Sequence, residues 1–151
     1  MFIRNMEYAD YPLILEKLPA ALEQHPDYAD YTIDIEYTAG ILRALLDSES
    51  LYGRLLFDDD YLAGGLCFTM SGMFFSPDRE ATELLFYVDE YARGKYPYKL
   101  LQESIQYADS LGAMRFNIGA KSGYRTESLQ KFYLRAGLKP SGGEFYWKRS
   151  V

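Results

Sequence analysis

The sequence predicts an α/β chain of the α+β kind, a single domain on a mixed sheet of about six to seven strands with about four helices. Three observations predict it. Apolar runs of strand length alternate with segments of helical period along the whole chain. Three such runs follow one another between Leu51 and Val88 across short polar links, which predicts antiparallel neighbours. A strand, a helix and a strand then follow between Glu83 and Ile118, and that order implies a parallel crossover. At 151 residues the chain fits one domain, residues 1–151. Such a domain buries roughly 70% of the surface its unfolded chain exposes, enough for a sizeable core.

Phe2 to Asn5 reads as a short strand. Asp10 can cap a helix that has Pro12 in its first turn and Ile14, Leu15, Leu18 and Leu22 as its apolar stripe. Pro19 should kink or divide that helix. Glu23 to Thr32 is polar and reads as a loop. Ile35 to Leu46 repeats at the helical period through Thr38, Ile41, Leu42, Leu45 and Leu46, with Asp34 as its cap.

Leu51 to Phe57 and Tyr61 to Phe75 flank the acidic turn Asp58-Asp59-Asp60 as a hairpin. Gly64, Gly65 and Gly72 predict a bend or bulge in the second arm. Ser76-Pro77-Asp78-Arg79 is expected to turn the chain into a third strand, Glu83 to Val88. From about Lys95 the period changes to helical. Leu100, Leu101, Ser104, Ile105, Ala108 and Leu111 share one face, and Gln102, Glu103, Gln106 and Asp109 the other. Gly112 ends this helix. Met114 to Ile118 reads as a strand, Gly119 to Arg125 as a loop, and Leu129, Phe132, Tyr133 and Ala136 as one face of a last helix stopped by Gly137. Glu144 to Lys148 reads as the closing strand. There is no internal repeat, low-complexity tract or linker.

Composition narrows the function. The chain is 48% hydrophobic and 25% charged, which excludes a disordered or fibrous chain. A net charge of −6 and a pI near 4.8 argue against nucleic acid and favour a cationic or neutral substrate. Fifteen tyrosines and nine phenylalanines fit large flat cores and strand faces, or an extended groove. Cys67 is alone within an apolar run, so no disulfide framework or thiolate metal cluster is expected, and a buried strand position is. His25 is the single histidine and precedes Pro26 in a polar stretch, which suits a surface loop better than a catalytic base. No apolar run approaches the roughly 20 residues of a membrane span and no signal-like leader is visible, so a cytoplasmic protein is expected.

The loop Asp89 to Tyr98 joins the aromatic strand to the long helix and places Arg93-Gly94-Lys95 where that helix opens. Unpaired N–H groups at a helix N-terminus, with cations beside them, favour a phosphate. The segment VDEYARGKYPYKLL from Val88 to Leu101 resembles the acetyl-CoA signature of the GNAT superfamily of N-acetyltransferases, in which R/Q-x-x-G-x-G/A follows a strand and opens a helix. Arg93 matches its first position. Tyr96 and Tyr98 stand at its glycine positions, and Pro97 between them has no N–H to give. The segment Phe132-Tyr133-Leu134-Arg135-Ala136-Gly137-Leu138 is similar to a second family segment, L-Y-E-K-L-G-F. The order of elements is that of the family, so the resemblance covers nearly the whole chain. The length, the aromatic strand and the missing glycines resemble virus-encoded members, a phage source included.

The resemblance implies a splayed parallel pair formed by Glu83 to Val88 and Met114 to Ile118, with acetyl-CoA as co-substrate and no metal. The pantetheine would meet backbone near Phe86 and Val88. Arg93, Gly94, Lys95, Tyr96 and Tyr98 would meet the pyrophosphate, with Lys99 as a nearby cation. Tyr133 would be the acid that protonates the departing sulfur, and Glu83 the base, with Glu90 second to it. The implied function is acetyl transfer to a primary amine on a protein or a small molecule, with a homodimer compatible with it. The other reading of the same residues is a GNAT-like scaffold without catalysis, an interaction module that uses its tyrosines as contacts.

Overall fold

The computed structural model describes residues 1–119, 126–142 and 147–150. Among these, five strands form one sheet in the spatial order β1 (Phe2–Asn5), β2 (Leu51–Asp58), β3 (Tyr61–Met73), β4 (Ser76–Val88) and β5 (Arg115–Asn117). Each of the first four pairs antiparallel with the next, and β5 runs parallel to β4. Four helices accompany them: α1 (Tyr11–Glu23), α2 (Ile35–Asp47), α3 (Tyr96–Ser110) and α4 (Thr126–Arg135).

Both faces of the sheet are covered, which is why its central strands carry consecutive apolar residues instead of a strict alternation. Leu55 and Leu56 show the point, at 1% and 0% exposure. Leu55 packs with Leu51, Phe57, Leu62 and Cys67 beneath Ile14 and Leu15 of α1 and Ala39 and Leu42 of α2. Leu56 faces the other way, with Ala63 and Val88, under Leu100 of α3. Further along that face Leu66, Phe68, Met70 and Ala81 meet Leu101 and Ala108 of α3 and Phe132 and Tyr133 of α4. Cys67 is buried as expected, and burial pushes its thiol up to about 12, so it stays an inert core residue.

Several expectations hold closely. Asp34 caps α2, accepting from the Tyr37 N–H at 2.9 Å. Gly112 ends α3 at φ +86°, a conformation that costs glycine no Cβ clash. Others need correction. Pro19 lies inside α1 without dividing it. Its ring faces solvent, while Ile14, Leu15 and Ala21 on the buried side hold both halves of the helix to the core. Asp10 makes no side-chain cap to α1. Its carboxylate instead accepts from both terminal nitrogens of Arg4, at 2.7 and 2.8 Å, and from the Glu7 N–H at 2.7 Å. A bidentate pair with a guanidinium outweighs a single bond to a helix N–H.

The stretch Ser76–Arg79 is no free turn, because it already belongs to β4. Met73 pairs with Ser76 and Gly72 with Arg79, so Pro77 and Asp78 bulge out of the ladder, where a proline without N–H does least harm. The chain reverses at Phe74 and Phe75. The parallel strands do pair, but through Glu80, Ala81 and Thr82 opposite Arg115, Phe116 and Asn117, one step earlier in β4 than Glu83. Five strands are described against about six to seven expected. The loop expected from Gly119 to Arg125 lies outside the described residues beyond Gly119. The strand expected over Glu144 to Lys148 lies outside them through 146, and Trp147 and Lys148 have no regular structure.

Candidate active site

The ladder between β4 and β5 stops at Thr82 and Asn117, whereas β4 runs on through Val88 with β3 as its only described strand partner. At that point β4 is bulged. Phe68 pairs with Glu83 and Cys67 with Leu85, so Leu84 is the extra residue and stands 47% exposed. A bulge increases local twist and re-aims the strand, here where β4 and β5 separate. The result is a length of β4 edge, residues 83–88, that among the described residues has no strand on the side away from β3.

The atoms on that edge follow from alternation. The Asp89 N–H bonds Ala63 O of β3 at 2.8 Å, so the residues in phase with Asp89 turn their polar groups inward. Phe86 and Val88 are out of phase and turn theirs to the open edge. Val88 O is met there by Arg93 Nε at 2.8 Å. A glycine makes room behind this edge: a Cβ on Gly64 would lie 2.7 Å from Tyr87 O and 2.9 Å from Val88 Cα.

Beyond Val88 a short 3₁₀ turn, Glu90–Ala92, leads to α3. Ala92 is buried against Leu100 and Leu56, and the Tyr91 hydroxyl bonds Asp58 Oδ2 at 3.1 Å. Glu90, the second candidate base, is exposed in this turn. Lys95 is the residue before the helix, Tyr96 its first, Pro97 its second and Tyr98 its third. The Lys99 N–H already bonds Lys95 O at 3.2 Å, so Tyr96 and Tyr98 provide the amides of the opening turn. Gly94 is exposed, and a Cβ there would touch nothing within 4 Å. Lys95 and Lys99 are exposed cations, with the Lys95 ammonium 5.3 Å from the Tyr96 ring centroid. Arg93 is half-buried, tied to Val88 O, with its guanidinium 5.8 Å from the Tyr87 ring centroid.

On the α3 and α4 face, Tyr133 lies half-buried against Phe132, ring centroids 5.7 Å apart. Its hydroxyl donates to Gly119 O, just past β5, at 3.2 Å. Burial and the nearby Glu83 carboxylate together push the phenol well above the usual tyrosine range. The two residues expected as acid and base are thus brought into electrostatic reach where β4 and β5 part.

On the α1 side stands a cluster that no sequence pattern announced. Lys17 Nζ donates to Asp89 Oδ2 at 2.9 Å and to the Tyr61 hydroxyl at 2.7 Å, and that hydroxyl donates to Asp89 Oδ2 at 2.5 Å. Burial works against the Asp89 carboxylate, but the hydrogen bonds from Tyr61 and Lys17 outweigh it and hold Asp89 below the usual carboxylate range. The three residues come from α1, β3 and the residue just after β4, so neither helical nor strand spacing could have grouped them. Among the described residues no group of His, Cys, Asp or Glu is arranged to hold a metal, and no helix is long and apolar enough to cross a membrane.

The splayed parallel pair, the bulged β4 and the turn into α3 define the fold of the GCN5-related N-acetyltransferases, the GNAT fold. Solved structures carry that assignment. A GCN5-related N-acetyltransferase from Ralstonia eutropha superimposes with a TM-score of 0.79 at 18% identity, covering 97% of each chain. An aminoglycoside acetyltransferase from an uncultured soil metagenomic sample gives 0.75 at 16% identity, covering 99% of this chain and 98% of that one. A ribosomal-protein-alanine N-acetyltransferase from Brucella melitensis biovar Abortus gives 0.72 at 14% identity, covering 99% and 100%. No protein-family model and no curated protein sequence matches the chain.

Proposed function

We propose that residues 1–151 act as one acetyl-CoA-dependent N-acetyltransferase domain that acetylates a primary, cationic amine. The observation that carries the reading is the open edge of β4, with Phe86 and Val88 turned outward, the α3 opening beyond one end and the Glu83 and Tyr133 pair beside the other. Such an edge offers backbone donors and acceptors to an amide-bearing chain much as a neighbouring strand would. The pantetheine arm is such a chain, so the group fits the edge. At the α3 opening the fit is narrower. Tyr96 and Tyr98 give amides, Gly94 leaves space, and Lys95 and Lys99 add charge, whereas Pro97 gives nothing and Arg93 is engaged with Val88.

When bound, acetyl-CoA supplies an acetyl thioester, which an uncharged amine converts to an amide and a free thiol. Glu83 takes a proton from the incoming ammonium, directly or through water. Tyr133 holds its proton at the phenol oxygen. With its pKa raised, Tyr133 stays protonated and gives that proton to the departing sulfur, regaining one through water from the amine nitrogen as the amide forms. A net charge of −6 draws cations, which favours a cationic acceptor such as an aminoglycoside or a basic peptide.

Thermal melting with and without acetyl-CoA, followed by thiol release with an aminoglycoside, a peptide with N-terminal alanine and a lysine peptide, tests the proposal. A ligand at 100 times its Kd adds about 2.7 kcal/mol, a shift of several degrees. One acceptor should then release thiol faster than buffer alone. An unmoved Tm at millimolar acetyl-CoA overturns the reading.

A further inference from the structure

We propose that Lys17, acting with Tyr61 through Asp89, is a positioning residue that fixes the β4 to α3 loop in the shape that receives coenzyme A. The inference rests on the acetyl-CoA reading above. Asp89 is the first residue after β4, and everything that would meet the pyrophosphate follows it within ten residues, from Arg93 to Tyr98. Its backbone is held by Ala63 O, and its side chain by Lys17 and Tyr61, so both its position and its direction are set from outside the loop.

The anchor is sheltered. Lys17 and Asp89 side chains are only 16% and 13% exposed, unlike an ordinary surface ion pair, and the Lys17 ammonium also lies 4.2 Å from the Tyr61 ring centroid. A lysine on α1 can carry its ammonium out to water along a flexible stem. Here the side chain is only 16% exposed, its ammonium lies on Asp89, and Lys17 lines the same small cavity as Ile14, Leu62 and Leu85. Removing that charge leaves a sheltered carboxylate without its cation, which favours its escape towards solvent and takes the loop with it.

The loop has reason to need an outside anchor. Glycines let a backbone approach a phosphate closely, whereas Tyr96, Pro97 and Tyr98 are stiff and bulky. A stiff loop binds well only if it is already in place. The other ties, Tyr91 to Asp58, Arg93 to Val88 and the buried Ala92, lie downstream of Asp89. Sequence alone does not show the link, since Lys17 and Asp89 are 72 residues apart.

The test compares wild type with Lys17→Met, which keeps the stem, and Tyr61→Phe, which keeps the ion pair. Amide hydrogen exchange is followed in the ligand-free protein, and coenzyme A binding by calorimetry. In Lys17→Met the amides of Ala92 and Arg93, bonded to Asp89 O and Glu90 O, should exchange roughly 10- to 100-fold faster, the weight of a charged hydrogen bond, while those of 102–110 in α3 are unchanged. Coenzyme A should bind about tenfold more weakly, with kcat at saturation retained, and Tyr61→Phe should fall between. Unchanged exchange in the loop, or an equal rise throughout the sheet, overturns the positioning role. So does unchanged coenzyme A affinity in both variants. A wild type that binds no coenzyme A, with the loop loosening as expected, overturns the acetyl-CoA reading instead and with it the cofactor role of Lys17.

Discussion

At the scale of single residues, Tyr133 and Gly64 make opposite kinds of demand. Tyr133 is expected to act through its hydroxyl, while its ring packs with Phe132 and its oxygen bonds the Gly119 carbonyl at 3.2 Å, a long contact. Tyr133→Phe should therefore leave the Tm within a few degrees and lower kcat by roughly 10²- to 10⁴-fold, the usual weight of a positioned proton donor. Steady-state rates and a melting curve on the same preparation decide it, and an unchanged kcat in an active enzyme would remove Tyr133 from the chemistry. Gly64 needs the absence of a side chain. Gly64→Ala would push a Cβ to 2.7 Å from backbone oxygen and 2.9 Å from a backbone carbon of β4, neither of which can swing aside. We expect a loss of about 1 to 3 kcal/mol in a urea titration, the range for overpacking, together with weaker acetyl-CoA binding because the strand that moves is the one carrying Phe86 and Val88.

At the scale of elements, the opening of α3 is well built as a helix start and narrow as a phosphate cradle. Proline in the first turn is favourable to the helix, since its missing N–H would have no partner inside it. The same missing N–H is the donor that a pyrophosphate would want. Pro97→Ala should restore it and tighten acetyl-CoA by about 0.5 to 1.5 kcal/mol, the net weight of one hydrogen bond, with little loss in Tm. Calorimetry would show this as a severalfold fall in Kd, and an unchanged or weaker affinity would mean that the ligand does not use that amide. The bulge at Leu84 is the other decisive element, because it separates β4 from β5 and no apolar pattern in ELLFYV marks which residue is extra.

At the scale of the whole molecule, two sheltered carboxylates, one of them joined across 72 residues to Lys17, predict its acid limb. Burial disfavours the charged forms of Asp10 and Asp89, but Arg4 with the Glu7 amide in one case, and Tyr61 with Lys17 in the other, hold both below the usual range. The unfolded value is about 3.9, so these contributions are fully present above it and are lost as pH falls through the lower folded values. Lys17 behaves in the opposite sense. Burial disfavours its charge, Tyr61 and Asp89 more than compensate, and the raised pKa gives stability present below about 10.4 and lost as pH rises through the folded value. Urea midpoints should therefore stay level between those limits and fall outside them. Asp89→Asn should flatten both limbs and Asp10→Asn the acid limb alone; limbs unchanged in both variants would show that these groups do not set the pH dependence.

The sequence by itself determined the order and type of the elements, because burial on one or both faces leaves a period of 3.6 or an unbroken apolar run that any reader of the chain can find. It showed α2 with its Asp34 cap, α3 with its Gly112 stop, and Cys67 as core, since each depends on residues close in the chain. It also brought Glu83, Tyr133 and the Arg93 to Tyr98 loop forward, through a resemblance in motif order. Tertiary structure alone decided how these are used. Asp10 left its helix cap because Arg4 lies across from it, and Arg93 turned to Val88 O because the 3₁₀ turn folds it back. The six residues of β4 past the β4–β5 ladder have no second strand partner among the described residues because Leu84 is bulged. Lys17, Tyr61 and Asp89 met because α1 packs over β3 and β4, and side chains brought together only by packing leave no periodic trace in the order of the residues.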